Sequence, residues 1–146
     1  MVIDNFFDKK FLNKIIKYYE INDNWINYSF VNNFKKFGLN DRSKMNHDLN
    51  LLFNNLASKK FVNKLIKITK IEKLFLDKDL DGGGLHQIFK NGYLNIHTDF
   101  ASHTTKHNWK RVLNILIYVN KSWKKKYNGN LELWNSRGKK KITEIF

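Results

Sequence analysis

Apolar residues recur at helical spacing through most of the first half of the chain and at strand spacing through the second. Phe11, Leu12, Ile15, Ile16 and Tyr19 follow the three- and four-residue intervals that line one face of a helix. Asp8 precedes them, and its side chain can accept from an exposed amide of the first turn. The spacing predicts an amphipathic helix over residues 8–20. Leu49, Leu52, Phe53 and Leu56 form a second set, and Ser58 is placed to cap a third helix that buries Phe61, Val62, Leu65 and Ile66. These helices are expected to pack on one face of a sheet. Between them, residues 25–46 are polar, aromatic and weakly periodic, and the pattern assigns no element there.

After residue 70 the period changes. The run from Ile71 to Leu80 ends on Gly82-Gly83-Gly84, and the segments beyond it are short and separated by turn signals, so they read as strands. Asn91-Gly92 carries the two-residue hairpin signature and is predicted to join a strand over Leu85 to Phe89 with one over Tyr93 to Phe100. Asn128-Gly129 and Arg137-Gly138 mark two later turns. Between Arg111 and Asn120 the residues Val112, Leu113, Ile115, Leu116, Ile117 and Val119 leave no polar face. That segment is expected to be a central strand or the inner wall of a barrel, covered on both sides. Helices followed by strands indicate an α+β fold. The chain reads as one domain over residues 1–146, with helical support in 1–70 and a β-rich core in 71–146.

Composition narrows the possible functions. Hydrophobic residues make up 42% of the chain, with four Trp and twelve Phe, far more apolar surface than a disordered chain carries. With no cysteine, disulfides, thiolate zinc sites and cysteine nucleophiles are excluded, and any metal site must use His, Asp or Glu. No segment approaches the roughly 20 apolar residues of a membrane span, and no basic stretch leads into an apolar one at the start. A cytoplasmic protein with no membrane partner is expected. The net charge of +14 suggests nucleic acid as a partner, since clustered cations neutralise phosphates. Yet 24 of the 27 basic residues are Lys, Asn is frequent and Pro absent, a pattern that AT-rich coding imposes on any protein. Arg is scarce for bidentate phosphate or guanine recognition, so nucleic acid is not expected to be the partner.

Candidate chemistry lies in the alternation of Tyr93 to Phe100, where Tyr93, Asn95, His97 and Asp99 share one strand face. An imidazole and a carboxylate two residues apart on a strand can chelate one metal, and with a further His they form the facial triad of non-haem iron(II) oxygenases. Alone, a His-x-Asp triplet is common and ordinarily a hydrogen-bonded surface pair. Here it stands in a linked series: Gly82-Gly83-Gly84-Leu85-His86, then Gly92-Tyr93-Leu94-Asn95-Ile96-His97-Thr98-Asp99-Phe100, then Arg111-Val112-Leu113-Asn114-Ile115-Leu116-Ile117-Tyr118-Val119-Asn120, Lys121-Ser122-Trp123, the turn at Asn128-Gly129, and Leu131-Glu132-Leu133-Trp134. In order and spacing this series resembles the prolyl 4-hydroxylase-like branch of the iron(II)/2-oxoglutarate-dependent dioxygenases, and Arg111 to Trp134 is its most specific part.

The resemblance implies a distorted double-stranded β-helix, or jelly roll, flanked by the helices. It implies Fe(2+) and 2-oxoglutarate as cofactors, ascorbate as reductant, and hydroxylation of an unactivated C–H bond. His97 and Asp99 would be the first two iron ligands. Tyr118 falls where similar hydroxylases set a Tyr against 2-oxoglutarate, and strand alternation would put it on the same face as Asn114. His86 and Gln87 lie on the expected hairpin partner of the His97 strand. The family's second His and its carboxylate-anchoring Arg or Lys have no counterpart after Trp134, so the domain is expected to stop partway through its β-helix. His103 and His107, in the polar stretch Ser102 to Asn108, are the substitutes at hand for a third ligand. Ile142, Ile145 and Phe146 look like the start of another strand, and the missing strands would leave an edge for a second polypeptide. The substrate is open among a protein side chain, a sugar and a small molecule. The alternative is a catalytically inactive remnant or binding module whose basic surface takes an acidic partner.

Overall fold

Asp8 caps the first helix as the sequence predicts: its carboxylate accepts from the Phe11 amide at 2.8 Å at the start of α1 (Lys9–Ile21). The computed structural model describes residues 1–145, and Phe146 lies outside the described residues. Asn46 and Ser58 cap α2 (His47–Leu56) and α3 (Lys59–Thr69) in the same way, at 3.0 and 3.3 Å. Such caps satisfy amides that a helix leaves without internal partners, each contributing about 1 kcal/mol. The strands among the described residues are, in chain order, β1 (Ile26–Asn27), β2 (Asn33–Leu39), β3 (Leu85–Leu94), β4 (Leu131–Trp134) and β5 (Lys141–Ile145). Helices and antiparallel strands together are compatible with the α+β expectation.

The chain divides into two compact units. The first takes Met1–Trp25 and Leu39–Leu85 and contains all three helices. There α1 packs on α2 and α2 on α3. Ile15, Tyr18, Leu39, Met45, Leu49, Leu52, Phe53, Leu56, Leu80 and Leu85 form its core, and every buried apolar side chain among the described residues is in this set. The helical spacing of α2 reads through directly, since its four predicted apolar positions are all buried. The α3 positions Phe61, Val62, Leu65 and Ile66 are only half-buried, a correction to the expected burial. Two polar side chains inside this unit, Tyr18 and Arg42, tie it together with internal hydrogen bonds. Tyr18 Oη donates to the Lys44 carbonyl at 2.7 Å, and burial, with Asp23 adding to it, raises its phenol above the ordinary 10.0. Arg42 donates to the Asn50 and Asn54 side-chain carbonyls at 3.0 and 2.8 Å and stacks on Phe53, while Asn50 donates back to the Arg42 and Met45 carbonyls.

The second unit takes Ile26–Gly38 and the chain from His86 onward. Its sheet runs β1-β2-β3, with Ile26 opposite Gly38 and Asn27 opposite Phe37 in the antiparallel first pair. These first two strands fall in the stretch to which the sequence assigns nothing. Lys35 explains why: at φ 52 it steps through left-handed backbone inside β2 and breaks the two-residue alternation. Asn91-Gly92 is not a hairpin turn. It is a left-handed step, Asn91 at φ 64, within the single strand β3. Gly92 is required there, since a Cβ would stand 2.7 Å from the Phe34 carbonyl oxygen. Phe37 packs edge-on against Phe89 and Phe34 lies near Tyr93, so aromatic pairs line this face.

Two further strand expectations fail. β3 ends at Leu94 before His97 is reached, and Arg111 to Asn120 joins no strand ladder. A strand covered on both faces needs elements above, below and beside it, and no described strand pairs with this run. Val112, Leu116 and Tyr118 are accordingly 56%, 57% and 55% exposed. The jelly roll that the resemblance implies is not seen as a closed set of strands among the described residues. The last two turns hold: Asn128 and Gly129 adopt φ 56 and 80, and the β4–β5 hairpin turns at Asn135 to Lys140 with Gly138 at φ 63. Leu131 pairs with Ile145 and Leu133 with Thr143, making β5 the returning strand that Ile142 and Ile145 announce.

Candidate metal centre

Beyond Leu94 the chain leaves the sheet with one last strand-like bond, the Asn95 amide donating to the Asn32 carbonyl at 2.9 Å. It then enters a clasp. The Arg111 amide donates to the Ala101 carbonyl at 2.8 Å, Ser102 bridges Lys110, and the His103 amide donates to the Trp109 carbonyl at 3.1 Å. His103 tightens the loop, its Nδ1 accepting from the amides of Thr105 and Lys106 and its ring standing edge-on to Trp109. The clasp carries the chain away at Phe100 and returns it at Arg111, which sets residues 111–114 beside Asp99 with no strand ladder between them.

His97 and Asp99 therefore come together without the strand expected to hold them. His97 Nε2 stands 3.6 Å from Asp99 Oδ1, and His97 Nδ1 lies 2.7 Å from the Asn95 carbonyl oxygen. A carbonyl only accepts, so that contact assigns the proton to Nδ1 in the neutral ring and leaves the Nε2 lone pair toward the carboxylate. The other carboxylate oxygen is occupied: Asp99 Oδ2 accepts from Asn114 Nδ2 at 2.5 Å and has Arg111 Nη1 at 3.4 Å. The Arg111 guanidinium also lies over the Phe100 ring, 4.9 Å from its centre. An open hollow of about 280 Å³ is lined by Asp99, Phe100, Ala101, Arg111, Val112, Leu113 and Asn114.

As a donor set, a neutral imidazole nitrogen beside a carboxylate oxygen fits two of the three positions of a 2-His-1-carboxylate iron site. The carbonyl behind the His97 ring is the kind of outer contact that orients a metal-binding imidazole. Among the described residues no third His, Asp or Glu gathers with this pair. His103 is engaged in the clasp and His107 is exposed, and neither joins His97 and Asp99 in a three-donor group.

Residues 83–145 match the family model of the 2OG-Fe(II) oxygenase superfamily. The matched stretch is similar to those oxygenases, and it holds His97, Asp99, Arg111, Asn114 and Tyr118 together. It is less than half of the chain. No curated protein and no solved structure matches the chain. The match supports the superfamily, and with it a dioxygenase using Fe(2+) and 2-oxoglutarate in general terms. No helix is long and apolar enough to cross a membrane.

Of the residues singled out from the sequence, His97, Asp99 and Asn114 meet. Tyr118 is not among the residues lining the hollow and is more than half exposed, and what burial it has raises its phenol above 10.0. The shared strand face predicted for Tyr118 and Asn114 does not exist, because no strand forms there. His86 stands near the Tyr28 ring, 6.4 Å between centres, and is not among the residues lining the hollow. Sequence reasoning missed Arg111 and Phe100 as parts of the site. The available signal was a charged residue opening an otherwise apolar run, since one of only three Arg in the chain sits there.

Proposed function

We propose that this chain is an iron(II)- and 2-oxoglutarate-dependent dioxygenase of the hydroxylating, prolyl 4-hydroxylase-like kind, with His97 and Asp99 as two of its iron ligands. One observation carries the reading: within the stretch matched to the oxygenases, His97 Nε2 and Asp99 Oδ1 face each other at 3.6 Å. Iron(II) held by His97 and Asp99 would, with 2-oxoglutarate and oxygen, supply the oxidising power to hydroxylate an unactivated C–H bond, with succinate and carbon dioxide as coproducts. The protein's share is geometry. His97 presents Nε2 because Asn95 holds Nδ1, and Asp99 supplies the anionic donor. Phe100, Ala101, Val112 and Leu113 give the hollow an apolar lining beside the pair, where a carbon substrate is favoured over water. In this reading a second polypeptide completes the fold along the exposed apolar run from Val112 to Val119.

Succinate release from 2-oxoglutarate, with iron(II) and ascorbate present, tests the proposal. The reading expects turnover that His97→Ala and Asp99→Ala abolish. Succinate release that is the same in both variants contradicts it.

A second reading has its own support in the two-donor site and the exposed lysines: a binding module with a basic surface for an acidic partner. Iron titration separates the two, since a pure binding module is indifferent to substitution of His97 and Asp99.

A further inference from the structure

The two oxygens of Asp99 face different neighbours. Oδ1 faces the His97 imidazole, while Oδ2 takes the Asn114 amide at 2.5 Å and the Arg111 guanidinium at 3.4 Å. Asn114 makes the closer of the two contacts, so it holds Oδ2 and leaves Oδ1 the freer oxygen of the carboxylate. From this division we propose that Asn114 is a positioning residue: by occupying Oδ2 it makes Asp99 offer a divalent metal one oxygen and not two. The proposal rests on the reading of His97 and Asp99 as metal ligands.

Offering a single oxygen has a consequence for the site. A carboxylate that binds through both oxygens uses two coordination positions, whereas the facial arrangement depends on positions left open for cosubstrate and oxygen. An exposed Asp side chain rotates readily, and Asp99 is 41% exposed, so its orientation has to be imposed from outside. Asn114 is well placed to impose it. The clasp fixes Arg111 to Ala101 through the backbone, and Asn114 follows three residues later in the lining of the same hollow. Arg111 backs the same oxygen at the longer distance, with its guanidinium resting on Phe100. Asn114 thus acts on the metal ligand, a role distinct from contact with the cosubstrate.

These two roles separate experimentally, because only the positioning role acts when 2-oxoglutarate is absent. The test is cobalt(II) binding to the full chain without cosubstrate, read as affinity and visible absorption, for wild type, Asn114→Leu, Asn114→Gln and His97→Ala. Asn114→Leu should weaken cobalt by about tenfold or more, the range for loss of an outer-shell partner, and alter the absorption as a second Asp99 oxygen joins the metal. Asn114→Gln, which keeps an amide donor, should restore much of both, and the metal-free melting temperature should match wild type throughout. If Asn114→Leu keeps wild-type affinity and spectrum while His97→Ala loses cobalt, the positioning role is overturned and the ligand reading stands. If Asn114→Leu lowers the metal-free melting temperature and Asn114→Gln restores nothing, the role is structural and the proposal is again overturned. If wild type takes no cobalt, or His97→Ala binds it equally well, the ligand reading falls and the proposal with it.

Discussion

Leu49 and Leu116 are the same side chain in opposite circumstances: one is 0% exposed in the helical unit, the other 57% exposed in the apolar run beside the candidate metal site. Both lie in segments whose sequence demands burial. A helix satisfies its own backbone hydrogen bonds and needs cover along one stripe, which α1 and α3 provide for α2. A strand with apolar residues on both faces needs partners at its edges as well as cover above and below. Apolar sequence states the need for burial, and topology decides whether it is met.

Substitutions that read burial directly sharpen this contrast most. Leu49→Ala should lower unfolding stability by about 2–5 kcal/mol in urea titration, as for a fully buried leucine. Asn50→Ala, which removes the acceptor of Arg42 Nε and the side-chain donor to the Met45 carbonyl, should cost about 1–3 kcal/mol in the same assay. Asp8→Ala should cost about 1 kcal/mol through the lost cap of α1. Leu116→Ser should change stability by no more than about 0.5 kcal/mol, as for an exposed position. A loss approaching that of Leu49→Ala would break the comparison by showing Leu116 to be buried in solution.

The smallest effect is expected in the β4–β5 hairpin, where Glu132 and Glu144 stand opposite each other and Lys141 bonds both. The Lys141 hydrogen bond holds Glu132 below its ordinary 4.5, and bonds to Glu144 first and Glu132 second hold Lys141 above its ordinary 10.5. The Glu132 contribution is therefore present above pH 4.5 and lost as pH falls through the lowered value. The Lys141 contribution is present below pH 10.5 and lost as pH rises through the raised one. Amide shifts of Thr143 and Ile145 should stay constant between these limits, and Lys141→Ala should move the acid-side transition up toward the ordinary carboxylate value.

The legible part of the fold was helical, because Asp8, Ser58 and the α2 stripe act locally. Each cap needs only its own first turn, and each stripe only the 3.6-residue period. The strands were poorly legible, since Lys35 and Asn91 interrupt their alternation with left-handed backbone. Asn91-Gly92 looked like a turn because that dipeptide provides positive φ, and positive φ equally serves a step within a strand. Between Arg111 and Asn120 propensity was plain and pairing was absent. At the site, His97 and Asp99 were found through spacing on a strand that is not there, and the clasp from Ala101 to Arg111 brings their neighbours in. Asn114 and Arg111 meet Asp99 through that loop closure, which no short-range periodicity encodes.

Paramagnetic broadening of the amide signals by sub-stoichiometric manganese(II) locates a bound divalent metal directly. The account predicts that signals from Asn95 to Phe100 and from Arg111 to Asn114 broaden first, and that His97→Ala abolishes the effect. Broadening that instead begins between Asp77 and Asp81, where the Asp77 carboxylate accepts from the amides of Asp79 and Asp81, and persists in His97→Ala, would contradict a metal centre at His97 and Asp99.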